Sequence, residues 1–139
     1  MVEVLTARLR KNNKQTTCIG FGINYSKDIT GGFYHSIKID TPTDSAYEIV
    51  NYCLIIFDKF YQFLPIRKVT ICCSGLQKKE CIQLNFFEPE AEIKEENDVN
   101  NAIDKIKNKF GKNSLLKATN LLEDSTAIER NKKTGGHYS

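Results

Sequence analysis

Apolar and polar residues alternate along two neighbouring stretches in the first half of the chain. From Thr16 to Lys27, apolar residues from Ile19 onward occupy every second position, with glycine, asparagine or serine between them. The same period of two returns from Phe33 to Thr41, after a glycine pair. A period of two is typical of a strand with one buried face, and glycines between two such strands favour a turn. The pattern predicts an antiparallel hairpin whose second strand Pro42 ends.

Helical spacing of apolar residues occurs on both sides of this hairpin. The stretch from Val2 to Asn13 predicts a first helix, because its apolar residues fall on one face. A second helix is predicted to run to about Tyr61, and Ser45 with Glu48 has the spacing of a capping box at its start. The broad apolar face of this second helix would consist of Ala46, Ile49, Val50, Cys53, Leu54, Phe57, Phe60 and Tyr61.

Further segments complete the predicted domain and lead into a tail. Ile66 to Ser74 alternates and predicts a third strand, which a turn from Gly75 to Glu80 would follow. The glutamate-rich stretch from Glu88 to Glu96 is typical of a solvated linker. Asp98 to Phe110 has the apolar spacing of a short amphipathic helix. The polar end after Glu123 is predicted to be mobile.

These elements predict an α+β fold. The sheet is small and mostly antiparallel, and its apolar side needs to be covered by the two helices. With both helices on one face, the opposite face of the sheet is open to solvent. We therefore predict a domain over residues 1–80. Residues 81–139 would hold a peptide, an acidic linker and a tail with a helix at 98–110.

The predicted open face carries short polar side chains, glycines and lysines. Hydroxyl, ammonium and backbone N–H groups can contact phosphate oxygens, and glycines let a bulky partner approach the main chain. The alternative is an ordinary solvated sheet face, on which serine, threonine and lysine are common. The residues concerned are Gly20, Gly22, Asn24, Ser26, Tyr34, Ser36, Lys38, Lys68, Thr70 and Ser74.

Charge and hydropathy narrow the choice of partner only slightly. The chain of 139 residues has a formal net charge of +3 at pH 7. Residues 1–80 hold 11 Lys and Arg against 7 Asp and Glu, a mild basicity that permits a polyanionic partner without requiring one. The longest apolar run, at 53–57, is too short to cross a bilayer, and we find no signal peptide. We predict a cytoplasmic protein with no membrane partner.

Residues suited to catalysis or metal binding do not cluster in the sequence. The five cysteines include no C-x-x-C pair, and neither His35 nor His137 has a cysteine at metal-ligand spacing. Most of the cysteines fall within apolar periodic segments, which indicates buried thiols in a reducing compartment. The folded half has no phosphate loop, no nucleophile motif and no paired carboxylates. We predict no catalytic residue, no metal site and no cofactor.

A five-residue motif, Gln83-Leu84-Asn85-Phe86-Phe87, stands where the apolar domain gives way to the acidic stretch. Two adjacent phenylalanines at such a junction either complete the core or bind a partner. As a short fourth strand, 81–87 would bury Leu84 and Phe86. As a peptide anchor, Gln83 would hydrogen-bond at the mouth of a pocket that Leu84 and Phe87 fill. These five residues alone leave both interpretations open.

Several stretches resemble the C-terminal part of bacterial Y-family translesion DNA polymerases of the UmuC/ImpB/MucB/SamB type. The basic run at 8–15 before the Gly-x-Gly strand is similar to the start of that family's little-finger domain. Residues 57–61 and 65–67 resemble its second helix and the turn after it. The motif 83–87 looks like the pentapeptide with which these polymerases bind the bacterial sliding clamp. Residues 104–112 and 135–137 resemble the family's C-terminal tail, so the resemblance covers nearly the whole chain.

The resemblance implies a little-finger domain that contacts duplex or primer-template DNA through its open sheet face. The family's usual fourth residue in the pentapeptide is leucine, where this chain has Phe86. The family's little finger also has a strand ahead of the first helix. Because this chain starts at that helix, we expect an unpaired sheet edge. The phosphate contacts are expected near Gly20, Gly22, Asn24, Ser36, Lys38, Lys68 and Thr70, and the clamp on Gln83, Leu84, Asn85, Phe86 and Phe87.

The resemblance also implies a role without catalysis in this chain. The family's phosphoryl transfer depends on palm-domain carboxylates that hold two metal ions, and the sequence has no such motif. We expect the DNA-binding and clamp-binding portion of a translesion polymerase, with the rest of the polymerase as a further partner. The alternative is a protein–protein module that binds the clamp and no DNA. Salt-dependent DNA binding distinguishes the two.

Overall fold

The computed structural model describes residues 1–79, 90–123, 125–134 and 137–138. The chain divides into two compact units, Met1–Ile82 and Gln83–Ser139. The elements of the first unit are α1 (Val2–Lys11), β1 (Lys14–Tyr25), β2 (Gly32–Thr43), α2 (Ala46–Phe60), β3 (Ile66–Ser74) and β4 (Gln77–Lys78).

Strand β1 is the centre of the sheet. Strands β2 and β3 pair with it on either side, both antiparallel, so the order is β2-β1-β3. The two residues of β4 pair with Lys14 and Gln15 at the start of β1. The antiparallel hairpin and the α+β class, both predicted from the hydrophobic pattern, are confirmed.

Helices α1 and α2 pack against the same face of this sheet, which we call the core face. Helix α2 contacts β1 and β2, while α1 contacts β1 and α2. Four alternate residues of β1 point into this core, and residues of α2 meet them there. Burying an aliphatic or aromatic side chain of this size typically contributes about 1.5–3 kcal/mol to folding. The buried residues of β1 and α2 are Ile19, Phe21, Ile23, Tyr25, Ile49, Cys53 and Ile56.

Two predictions about which residues belong to strands were wrong. Pro42 lies inside β2 instead of ending it. It is tolerated there because β2 is an edge strand and the β1–β2 register shifts between Thr16 and Cys18, so that no ladder bond from its missing N–H is needed. Residues 77–78, predicted as part of a turn, form β4. Their partners lie about 60 residues earlier in the chain, and local periodicity carries no information about such a pairing.

Helix α2 buries a narrower face than its sequence predicts. Val50 and Leu54, assigned to the apolar face, are 38% and 50% exposed. The predicted capping box is also wrong in part, since Ser45 is the N-cap residue but its side chain makes no capping hydrogen bond. Instead, the Thr43 hydroxyl accepts a hydrogen bond from the Ser45 backbone N–H at 3.0 Å. The entry to α2 is therefore fixed by a residue of β2.

The second unit contains a long helix and several short elements. Helix α3 runs over Glu90–Phe110, a 3-10 helix over Ala118–Leu121, and α4 over Ala127–Asn131. Two-residue strands follow, β5 (Lys133–Thr134) and β6 (His137–Tyr138), and they pair antiparallel. The helix at 98–110 is thus longer than predicted and includes residues 90–96 of the expected acidic linker. Glutamate, alanine and lysine favour helices, so a run of charge does not exclude one.

The remaining predictions concern residues outside the described ranges, the cysteines and membrane-spanning helices. The possible fourth strand at 81–87 lies outside them, as do Gly135 and Gly136. Among the described cysteines, Cys53 is buried and Cys18 and Cys73 are half-buried, but Cys72 is exposed, so the expectation of buried thiols fails at that position. No helix in the described ranges has the length and hydropathy needed to cross a membrane.

Candidate nucleic-acid interface

The face of the sheet opposite the core face, here called the open face, brings the predicted phosphate-contacting residues together. They lie in four rows across the three strands, because the register pairs each β1 residue with one residue of β2 and one of β3. No helix of residues 1–79 covers this face. The rows are Lys38–Cys18–Ser74, Ser36–Gly20–Cys72, Tyr34–Gly22–Thr70 and Gly32–Asn24–Lys68.

Exposure divides the predicted site residues into two groups. Asn24, Ser36, Lys38 and Lys68 are exposed and Thr70 is half-buried, so their polar groups can reach a ligand. The two glycines, in contrast, are buried, although they lie on the open face. A side chain of this same domain must therefore cover them.

Tyr34 is the side chain that covers both glycines. A Cβ atom added to Gly20 would lie 2.8 Å from Tyr34 Cζ, and one added to Gly22 would lie 2.8 Å from Tyr34 Cδ2. The phenol ring therefore lies along β1, directly over the main chain. It lies so close to these two positions that only glycine fits beneath it. An aromatic ring that covers a glycine on a neighbouring strand is a known way of stabilising glycine in a sheet.

This arrangement changes the interpretation of the Gly-x-Gly strand. The sequence places Tyr34 on the open face, but its pattern predicts a partner in the space above the glycines, and Tyr34 is not among the expected phosphate contacts. The signal that could have found it is the register of the hairpin, which sets Tyr34 directly opposite Gly22. Tyr34 remains 55% exposed, so its ring is also available from outside.

Two cysteine thiols interact with the hydroxyl group of Tyr34. Desolvation raises the pKa of Tyr34 above its ordinary value of 10.0, and interactions with the Cys72 thiol, including a hydrogen bond, and with Cys18 raise it further. The phenol is therefore neutral at physiological pH and adds no negative charge to the open face. A neutral hydroxyl can approach a phosphate without repulsion.

Lys38 and Lys68 occupy opposite corners of the open face. Their partners on β1, Cys18 and Asn24, are six residues apart, which corresponds to about 20 Å along the strand. Exposed Asp40 follows Lys38 on β2 and is a negative charge at that end. Cations at the two ends with hydroxyls and an amide between them suit an extended polyanion better than a single small anion.

The described residues contain no group of three or more His, Cys, Asp or Glu side chains placed to hold a metal ion. The residues of the predicted clamp-binding motif, Gln83 to Phe87, lie outside the described part of the chain. The open face is thus the candidate site that the described residues form.

Comparisons with known proteins point to one family. Residues 1–86 match the model of the impB/mucB/samB family C-terminal domain. The chain is 36% identical over 138 residues to UvrX of Bacillus subtilis (strain 168), a protein named for UV-damage repair, covering 99% of this chain and 33% of that relative. It is 28% identical over 139 residues to DNA polymerase IV 2 of Halalkalibacterium halodurans, with coverages of 99% and 33%.

A third relative matches a shorter part of the chain. DNA polymerase IV 2 of Bacillus subtilis (strain 168) is 31% identical over 107 residues, which are 77% of this chain and 25% of that protein. The chain therefore spans about a third or less of the length of these curated relatives.

Proposed function

Because the chain belongs to the impB/mucB/samB family and carries the C-terminal domain of Y-family DNA repair polymerases in residues 1–86, we propose that it binds DNA for such a polymerase. The substrate is duplex or primer-template DNA, and the contacts go to backbone phosphates across the open face. The observation that carries the proposal is this face, which no helix of residues 1–79 covers and which has Lys38 and Lys68 at its opposite corners.

The proposed contacts follow from the exposure of each side chain. The ammonium groups of Lys38 and Lys68 bind phosphates, while Asn24, Ser36 and Thr70 donate neutral hydrogen bonds between them. Gly20 and Gly22 are expected from the sequence to lie near phosphates. In this proposal they act by leaving room for the ring of Tyr34. Such contacts fix the position of the domain on DNA and leave the nucleotide sequence unread.

In this proposal, catalysis takes place outside this chain. The chain corresponds to about a third of its relatives' length, and we infer that it supplies DNA binding in damage bypass, in the bacterial cytoplasm, without a catalytic residue or a cofactor of its own. The rest of such a polymerase would then be a partner of the open-face domain.

The test is charge reversal at the two lysines in the full chain. Lys38→Glu with Lys68→Glu should weaken binding to a primer-template duplex roughly tenfold or more at low salt. It should also lower the slope of log K against log salt concentration by about 2, since each phosphate-contacting lysine adds about one unit to that slope. Fluorescence anisotropy with a labelled duplex measures both quantities.

A matched variant controls for net charge. Lys11→Glu with Lys59→Glu changes the charge by the same amount, but these lysines are on α1 and α2, on the core side of the sheet. This variant should keep most of the affinity and the salt slope. If both double variants bind DNA equally well, and both unfold at the wild-type temperature, the open face is not the DNA-binding surface.

We further propose that Gln83 to Phe87 bind the bacterial sliding clamp. The support is the resemblance of this motif to the clamp-binding pentapeptide together with membership of the family. Gln83→Ala with Phe87→Ala should abolish retention of the chain on immobilised clamp, whereas Asn85→Ala should have a smaller effect. A chain that binds the clamp but shows no salt-dependent DNA binding would instead be a clamp-binding protein–protein module.

A further inference from the structure

Among the residues of the four open-face rows, Tyr34 is the one with an aromatic ring. It lies along the central strand, and its outer side is exposed, since the residue retains 55% of its accessible surface. The side toward the protein rests on Gly20 and Gly22, whose missing side chains leave room for the ring. An exposed aromatic plane on a sheet, with cations nearby, is a structure to which nucleic-acid bases stack.

The ring is held in this position at its base and at its hydroxyl end. The two glycines of β1 form its base, and the hydroxyl end is hydrogen-bonded to the Cys72 thiol of β3, on the far side of β1. A side chain fixed in this way loses little conformational entropy when a ligand binds to it. The platform therefore exists before the ligand arrives.

The groups around the ring are those that a nucleotide needs beside its base. Thr70 lies across Gly22 from Tyr34, and Ser36 is the next residue on the same face of β2, so hydroxyls stand on two sides. Lys38 and Lys68 lie farther out in opposite directions along the sheet. A DNA strand that runs from one of these lysines to the other passes over the ring of Tyr34.

We propose that Tyr34 stacks against an unpaired base, so that the open face binds single-stranded DNA next to the duplex. In the interior of a duplex both faces of each base are covered by stacked neighbours, whereas an unpaired nucleotide can offer a free face to the ring. Stacking is tolerant of base identity, because every base has a π face. This proposal rests on the proposed function, since it names the form of DNA that the same face holds.

The experiment compares two oligonucleotides with equal numbers of phosphates. One is a single-stranded thymidine oligomer, and the other is an abasic oligomer of the same length, which can bind only through phosphates and sugars. The full wild-type chain should bind the thymidine oligomer more tightly at the same salt concentration. Tyr34→Ala should weaken its binding roughly 5- to 150-fold, the range of base–aromatic stacking, and leave binding of the abasic oligomer unchanged.

Further variants separate stacking from structural damage. Tyr34→Phe keeps the ring and should keep the preference for the thymidine oligomer. Gly20→Ala places a Cβ atom against the phenol, so it should displace the ring and reduce the preference, with no further loss when combined with Tyr34→Ala. Tyr47→Ala removes a tyrosine that is 74% exposed on α2, and it should change neither affinity.

Photocrosslinking supplies a readout that a structural role of Tyr34 would not move. An oligomer with one 5-iodouracil should crosslink to Tyr34 on irradiation, and mass spectrometry of the digested adduct locates the residue. Equal wild-type affinities for the thymidine and abasic oligomers would overturn the stacking proposal, and the charge-reversal result would still stand. If wild-type protein shows no salt-dependent binding to any DNA, the proposed function fails first.

Discussion

The two faces of the sheet come from the same strand and differ in what they require. On β1, Ile19, Phe21 and Ile23 face the helices, and the residues between them face outward. The core face depends on large side chains that exclude water. The open face depends on small ones, because the absence of side chains at two positions lets an aromatic ring lie on the main chain. The same alternation thus builds a stable interior and a flat polar surface.

Substitutions on the core face should have the largest effect on stability. Ile19 is fully buried between the strands and the helices. Ile19→Ala should lower the free energy of unfolding by about 2–5 kcal/mol through lost burial and a residual cavity. Urea denaturation followed by circular dichroism measures this. Ser36→Ala on the open face should change it by less than about 0.5 kcal/mol. Equal losses in the two variants would show that the faces do not differ in this way.

A second effect comes from the thiol of Cys53 in the core. Burial, with a contribution from the Cys73 thiol, raises the pKa of Cys53 from 9.0 to about 11. Below pH 9 both folded and unfolded chains keep this proton, so stability is unaffected. Between pH 9 and about 11 only the folded chain keeps it, and the free energy of unfolding should fall by about 2–3 kcal/mol.

The variant Cys53→Ala isolates this contribution. Other groups titrate in the same range, so the quantity to measure is the difference between wild type and variant in urea denaturation at pH 8, 9, 10 and 11. The wild type should lose stability more steeply with rising pH than Cys53→Ala. Parallel curves would contradict the buried, proton-retaining thiol.

The smallest effect concerns two adjacent cysteines that lie on opposite faces. Cys72 is exposed on the open face, whereas burial, followed by the neighbouring Cys72 thiol, raises the pKa of Cys73. At pH 8 a maleimide should label Cys72 roughly tenfold faster than Cys73, because thiol reactivity follows exposure and thiolate fraction. Mass spectrometry of digests taken over time gives both rates. Cys72→Ser should remove the fast labelling of this pair, and fast labelling that the digests still locate at Cys73 would place that thiol at the surface.

Most of the first unit follows from local pattern. Alternation from Ile19 to Tyr25 gives the strand and both of its faces, and the glycine pair before Phe33 gives the hairpin. These features depend on neighbours in sequence, which is why periodicity finds them. The open face and its exposed residues Asn24, Ser36, Lys38 and Lys68 follow from the same rule.

The features that the pattern misses depend on contacts between residues far apart in the sequence, or on packing that opposes the local pattern. The pairing of β4 with Lys14 and Gln15 joins opposite ends of the domain. The role of Gly20 becomes visible only when Tyr34, from another strand, is laid over it. Leu54 has the spacing of a core residue, but it is 50% exposed on α2.

The length of α3 determines how distance is controlled within the second unit. As a flexible linker, 21 residues would have a root-mean-square end-to-end distance of about 25 Å with a wide spread. As a helix, the same residues form a rod of about 31 Å. The mean separations are similar, but the variance is not. The two ends of α3 are therefore held at a set distance from each other, and that distance is a matter of helix geometry and not of chain statistics.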